Sequence, residues 1–110
     1  MKIQQKEIPS KGIKFFVNNE DGKEVGRGYL FLLTNELHDT PFGFIEDVYI
    51  DESCRGRGLG SGIVKEMILK AKDLGCYKLI ITARYSKPKV RELYQRLGFR
   101  DWSTSFRMDF

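Results

Sequence analysis

Apolar positions along the chain change their period several times, and each change marks an element. From Gly12 to Thr34 the pattern reads strand, turn, strand. Ile13 to Val17 is rich in strand formers, Asn18 to Glu24 ("NNEDGKE") supplies turn residues, and Tyr29 to Thr34 is apolar again. Asp21-Gly22 is the strongest turn signal in the chain. Gly26 and Gly28, inside the second strand, predict a bulge or the close approach of another backbone. After the loop "ELHDTP", Phe42 to Ile50 reads as a third strand. Simple alternation puts Phe44, Glu46, Val48 and Ile50 on one face of it.

The period then lengthens. Ile63, Val64, Met67, Ile68, Ala71 and Leu74 recur at helical spacing, with Lys65, Glu66, Lys70 and Lys72 on the opposite side. Gly75 stands where a left-handed residue closes a helix. "YKLIITA" predicts a buried strand, and Pro88 opens a second helix whose apolar stripe is Val90, Leu93, Tyr94 and Leu97, closed by Gly98. The last residues alternate again, with Phe106, Met108 and Phe110 on one side, which predicts a final strand. The order is hairpin, strand, helix, strand, helix, strand. That is a single mixed α/β (α+β) domain over residues 1–110, with a parallel crossover of right-handed sense at its centre and a mixed sheet.

Composition narrows the function classes only a little. Hydrophobic residues make up 41% of the chain and aromatics 13%, enough for a sizeable core. No apolar run is long enough to cross a bilayer, and "MKIQQKEIPSKG" lacks a signal-peptide centre, so the expectation is a cytoplasmic protein without a membrane partner. Two cysteines, Cys54 and Cys76, make no disulfide framework, and no metal-ligand spacing is present. Cys54 beside Arg55 reads as a small residue at a strand end. The net charge of +4 suits a nucleic acid or a polyanionic small ligand equally.

The loop between the third strand and the first helix carries the chemistry. In "DESCRGRGLGSG" Gly56, Gly58, Gly60 and Gly62 alternate, with Arg55 and Arg57 among them. A strand feeding a glycine-rich turn that opens a helix is an anion site. Bare backbone allows close approach, and the first helical N–H groups have no partner inside the helix. A Walker loop needs Gly-Lys-Ser/Thr at its end, and "GSGIV" follows instead. The dinucleotide fingerprint also fails, since its last glycine falls on Ser61 or Ile63. What remains is Arg-x-x-Gly-x-Gly on Arg55, Gly58 and Gly60.

That stretch, behind "EDVYIDESC", resembles the acyl-CoA-binding motif of the GNAT superfamily of N-acyltransferases. A second stretch, "KPKVRELYQRLGFR", resembles the late helix of the same family, with Tyr94 at the tyrosine position. The resemblance runs from about Phe42 onward, with a plausible hairpin before it. It implies a mixed, splayed β-sheet with flanking helices, and a single domain that transfers an acetyl group from acetyl-CoA directly to a primary amine. By this resemblance the cofactor pyrophosphate lies on backbone N–H groups between Arg55 and Ser61, so that Arg55, Gly56, Arg57, Gly58, Leu59, Gly60 and Ser61 are candidate binding residues. The pantetheine arm runs along Val48, Tyr49 and Ile50 like an added strand. Lys89, with Lys87 and Arg91, stands within reach of the 3′-phosphate or else forms a solvated helix start.

Tyr94 is by analogy the donor to the leaving thiolate, set against an ordinary place in its helix's core stripe. Glu46, then Asp47, is the base candidate, because a carboxylate in an apolar strand must face solvent, a cavity or a partner. "GFIEDVYI" and "GCYKLI" also look similar to glucosamine-6-phosphate N-acetyltransferases. Thr82, however, stands where those enzymes carry an acidic residue that helps to position the tyrosine, which argues against assigning an amino sugar. No helical pattern precedes Ser61, so the family's usual N-terminal helix pair is missing and the acceptor side is shallow. That points to a homodimer, with Trp102 and Phe106 as core or dimer contacts. The acceptor stays open between a small-molecule amine and a protein lysine. Two other readings compete: an acyl-CoA-binding module without turnover, and a nucleic-acid-binding domain. The last requires exposed aromatics interleaved with Lys and Arg, whereas the strand-like alternation here suits a core.

Overall fold

The computed structural model describes residues 1–110. Strand β1 (Lys11–Asn18) and strand β2 (Glu24–Leu33) form the predicted hairpin. Its turn is held by Asn19, whose Oδ1 accepts from the Asp21 and Lys23 amides at 2.9 and 3.0 Å. Strand β3 (Phe42–Ile50) pairs antiparallel with β2, and strand β4 (Leu79–Ile81) pairs parallel with β3, in the order β1-β2-β3-β4. Helix α1 (Leu59–Asp73) crosses between β3 and β4, and helix α2 (Pro88–Arg96) follows β4. Gly75, at φ 77°, stands just beyond the end of α1, as its position in the sequence predicts.

The core lies between the sheet and α1. Leu30, Leu32 and Ile45 from the sheet meet Ile63, Val64, Met67 and Ala71 from the helix. These four helical residues are the buried part of the predicted stripe. Tyr94, Leu97 and Phe99 pack onto the same cluster from the α2 side. Gly26 and Gly28 are indeed points of close approach, but side chains do the approaching. A Cβ on Gly26 would stand 2.8 Å from the Ile50 side chain, and one on Gly28 2.9 Å from the end of Met67.

Four sequence expectations are corrected. The first is the facing of β3. Between the pairs Arg27–Tyr49 and Tyr29–Glu46, β2 advances two residues and β3 three. The extra residue is a bulge centred on Asp47, which holds φ at 54°. It shifts the alternation by one, so that Gly43 and Ile45 are buried while Val48 and Ile50 beyond it also pack inward. Phe44 and Glu46 therefore do not share a face with Val48 and Ile50. Second, β4 is shorter than "YKLIITA", because it pairs with β3 only from Leu79 to Ile81.

Third, residues 105–110 form no strand, and Phe106, Met108 and Phe110 are exposed. The alternation is present, but no neighbouring strand supplies a ladder, and Trp102 and Phe106 are not core residues. Fourth, the aromatics do not all serve the core. Phe16, Phe31 and Tyr49 are exposed on the sheet face turned away from α1. Lys14 lies over the Phe16 ring at 5.4 Å and Arg27 over Tyr49 at 5.0 Å. Both cations are paired, Lys14 with Glu24 and Arg27 with Asp47.

Candidate functional site

The chain leaves β3 through a single short 3₁₀ turn, Glu52–Cys54, and enters the glycine loop. Gly56 and Gly58 hold φ at 82° and 78°, a left-handed conformation that folds the loop over the start of α1 and that side chains with a Cβ rarely adopt. Gly58 is the N-cap and brings no side chain to that role. The backbone amides of Gly58, Leu59, Gly60 and Ser61 therefore have no acceptor in the protein. The first bond of α1 runs from the Gly62 amide to the Gly58 carbonyl, at 2.9 Å. A run of free N–H groups at the positive end of a fifteen-residue helix is an anion cradle.

Beside the cradle lies a cleft of about 650 Å³. Ile50, Arg55, Gly56, Gly58, Leu59, Gly60 and Ser61 line it, as the sequence predicts. Arg57 does not line it, and Lys89 stands exposed at the start of α2, outside it. Lys65 and Arg96 contribute cationic side chains that the sequence reading did not assign to the site. The signal was available for both. Lys65 is one helical turn beyond Ser61, and Arg96 is three residues beyond Leu93, so each shares a face with a lining residue. Arg91 makes other bonds: its guanidinium donates to the Ala83 carbonyl at 3.1 Å and to Asp101 at 3.0 Å.

Arg55 ties the loop back to the strand. Its Nε donates to the Ile50 carbonyl at 2.9 Å and its guanidinium lies 5.4 Å from the Tyr49 ring, which Arg27 also approaches, at 5.0 Å. One of five N–H donors is committed in this way. The edge of β3 is also informative. Pairing with β4 ends at Ile45–Ile81, so Glu46 to Ile50 have no strand on that side. The sheet is open there, and Val48, Tyr49 and Ile50 lie along the open edge.

Tyr94 belongs to a second, wider cleft of about 980 Å³, whose walls include Phe44, Ile81, Thr82, Trp102 and Phe106. Helix α2 thus stands between the two clefts, with Leu93, Arg96 and Leu97 on the first and Tyr94 on the second. Tyr94 is half-buried with its ring 6.0 Å from Phe99, and burial pushes its hydroxyl above the ordinary tyrosine value. It is therefore a neutral donor over the whole physiological range.

Glu46 and Asp47 are exposed and line neither cleft. Asp47 accepts from both Nε and an outer nitrogen of Arg27, at 3.1 and 3.3 Å, which holds Arg27 firmly charged and occupies the carboxylate. Glu46 is the first residue past the end of the β3–β4 pairing, at the mouth of the opening. His38 is exposed and lies against Tyr77, ring centres 4.0 Å apart and planes tilted by 32°.

Comparison with known proteins agrees with this geometry. The sequence pattern of the acetyltransferase (GNAT) family matches residues 2–99. A glucosamine 6-phosphate N-acetyltransferase of Trypanosoma brucei brucei is 33% identical over 97 residues, covering 87% of this chain and 64% of that protein. A thialysine N-epsilon-acetyltransferase of Sus scrofa is 36% identical over 58 residues, 53% of this chain and 34% of that one. The crystal structure of glucosamine-6-phosphate N-acetyltransferase from Arabidopsis thaliana superposes with a TM-score of 0.81 at 26% identity, over 90% of this chain and 67% of that one. The chain therefore spans about two thirds or less of the length of these curated relatives.

Proposed function

Because the chain belongs to the GNAT acetyltransferase family, we propose that it is an N-acetyltransferase, moving an acetyl group from acetyl-CoA to a primary amine. The observation that carries this reading is the run of four unpaired amides from Gly58 to Ser61, opening onto a cleft with Arg55, Lys65 and Arg96 in its walls. That donor set fits a pyrophosphate and has no other use in the fold. The open edge of β3 past Ile45 fits an amide-bearing arm laid beside it as an extra strand. Bound there, acetyl-CoA supplies a thioester carbonyl.

The residues around it need do little. The acceptor must arrive as a neutral amine, and Glu46, at the mouth of the opening, takes its proton directly or through water. An N–H on the unpaired edge of β3 receives the developing oxyanion. As nitrogen bonds to the carbonyl carbon and the carbon–sulfur bond breaks, Tyr94 donates to the departing sulfur. Asp47 has its carboxylate on Arg27 and serves the bulge instead. Relatives act, by their names, on acceptors as different as glucosamine 6-phosphate and thialysine. We infer a small-molecule amine as acceptor, with a protein lysine as the alternative.

The test is calorimetric titration with acetyl-CoA, using desulfo-CoA and ADP as controls, followed by an amine panel scored by CoA release. Micromolar-range binding with amine-dependent release is expected. Binding without release for any amine would favour a binding module, and no binding by the folded protein would remove the cradle argument.

A further inference from the structure

Two arginines flank Gly56, and one of them reaches the phosphate cleft: Arg55 lines it and Arg57 does not. Both are exposed, and neither forms a salt bridge. A free arginine on a surface loop samples many rotamers, and ordering it costs conformational entropy. What distinguishes Arg55 is a pair of contacts made back onto β3. Its Nε donates to the Ile50 carbonyl at 2.9 Å, and its guanidinium carbon lies 5.4 Å from the centre of the Tyr49 ring. Neither contact uses the outer nitrogens, which stay available to an anion.

The ring itself is held from the sheet. Tyr49 and Arg27 are cross-strand partners, the last pair in register before the bulge. The Arg27 guanidinium lies 5.0 Å from the ring centre and donates through two nitrogens to Asp47, the residue at the centre of the bulge. Two cations drawn to one ring would ordinarily repel each other. Here the Asp47 carboxylate balances Arg27, which leaves Arg55 as the uncompensated charge. The Tyr49 side chain is packed neither into the core nor into the wall of either cleft.

We propose that Tyr49 is a positioning residue for donor binding: its ring, braced by Arg27 and Asp47, holds the Arg55 guanidinium in the cleft wall before the anion arrives. This role rests on the cleft being the acetyl-CoA site, where Tyr49 then acts through its ring as well as through its backbone. An arginine already ordered on a ring gives up less freedom when it closes on a phosphate, so the ring raises affinity without touching the ligand. The same chain of contacts, Asp47 to Arg27 to Tyr49 to Arg55, joins the bulge to the loop that grips the phosphates.

Calorimetric titration of the full chain with desulfo-CoA tests this in a double-substitution cycle. Tyr49→Leu should weaken binding about three- to fivefold, the worth of one exposed cation–π contact. Tyr49→Phe, which keeps a ring under the guanidinium, should restore the parent affinity. In an Arg55→Met background, Tyr49→Leu should bring no further loss, because the ring then has no guanidinium to hold. ADP, which has the diphosphate and no pantetheine arm, should show the same loss with Tyr49→Leu, since the ring acts at the phosphate end. Parent affinity in Tyr49→Leu, an equal loss in Tyr49→Phe, a full loss in the Arg55→Met background, or a loss confined to desulfo-CoA would each overturn the positioning role while leaving the cleft as the donor site. A folded parent that binds neither ligand would overturn both.

Discussion

Gly58 holds φ at 78°, where a branched side chain is strained by about 1–2 kcal/mol, so Gly58→Val weakens the fold and the ligand grip together. Gly60 separates the two. Its φ is ordinary, and an added Cβ meets Ile50 at 3.5 Å, a normal contact inside the cleft. Gly60→Val should therefore raise the Kd for acetyl-CoA by roughly tenfold or more, about 1.4 kcal/mol, while the thermal midpoint stays near that of the parent. Calorimetry and a melting curve on one sample decide it. At Tyr94 the sign of the pH effect follows from burial. Its folded pKa lies above the unfolded value near 10.0, so its neutral form is favoured in the fold. The associated stability is complete below about pH 10 and falls as pH rises through the folded value. Burial raises the Cys76 thiol too, which adds a loss that begins lower. Between pH 9.5 and 11 the parent's midpoint should drop further than that of Tyr94→Phe. The same variant should keep acetyl-CoA affinity and lose turnover about 10²-fold; equal rates would return Tyr94 to packing alone.

Elements were legible wherever the sequence pattern reports on the chain's own neighbours. The stripe of α1, the Pro88 start of α2 and the Asp21-Gly22 hairpin all follow from short-range rules, and all appear as expected. The bulge did not, because alternation counts residues and cannot tell which one is extra. Its cost is carried by Asp47, which tolerates a left-handed backbone better than most residues, and by the Arg27 pair. Asp47→Gly should keep the bulge, whereas Asp47→Val should cost about 1–2 kcal/mol in denaturant unfolding. Helix α1 offers the opposite effect. A Cβ on Gly62 meets nothing within 4 Å, and its amide already bonds to Gly58. Gly62→Ala should stabilise the protein by about 0.5–1 kcal/mol and leave CoA affinity untouched. A weaker complex in that variant would mean that the cradle extends further into the helix than its free amides do.

At the scale of the whole molecule the sequence spoke less clearly. "SFRMDF" was read as a final strand and forms none, because periodicity shows what a segment can bury and not where its partner is. The candidate site divides along the same line. Backbone-defined positions, Gly58 to Ser61, were readable from glycine spacing. Lys65 and Arg96 could have been reached by helical spacing from Ser61 and Leu93, whereas the separation of Tyr94 into its own cleft depends on how α2 stands against the rest of the fold, which no local pattern encodes.

A cradle made of main-chain amides also has a consequence for how the protein responds to its surroundings. An amide N–H does not titrate near neutrality, does not oxidise, and cannot be replaced by a point substitution at its own position, proline excepted. Grip on the donor should thus be nearly flat from pH 7 to 9 in desulfo-CoA titrations, while turnover climbs as the acceptor amine sheds its proton. In such a division of labour, on the proposed function, the donor half of the reaction is buffered against chemical change, and variation in acceptor preference falls to side chains rather than to this stretch of backbone.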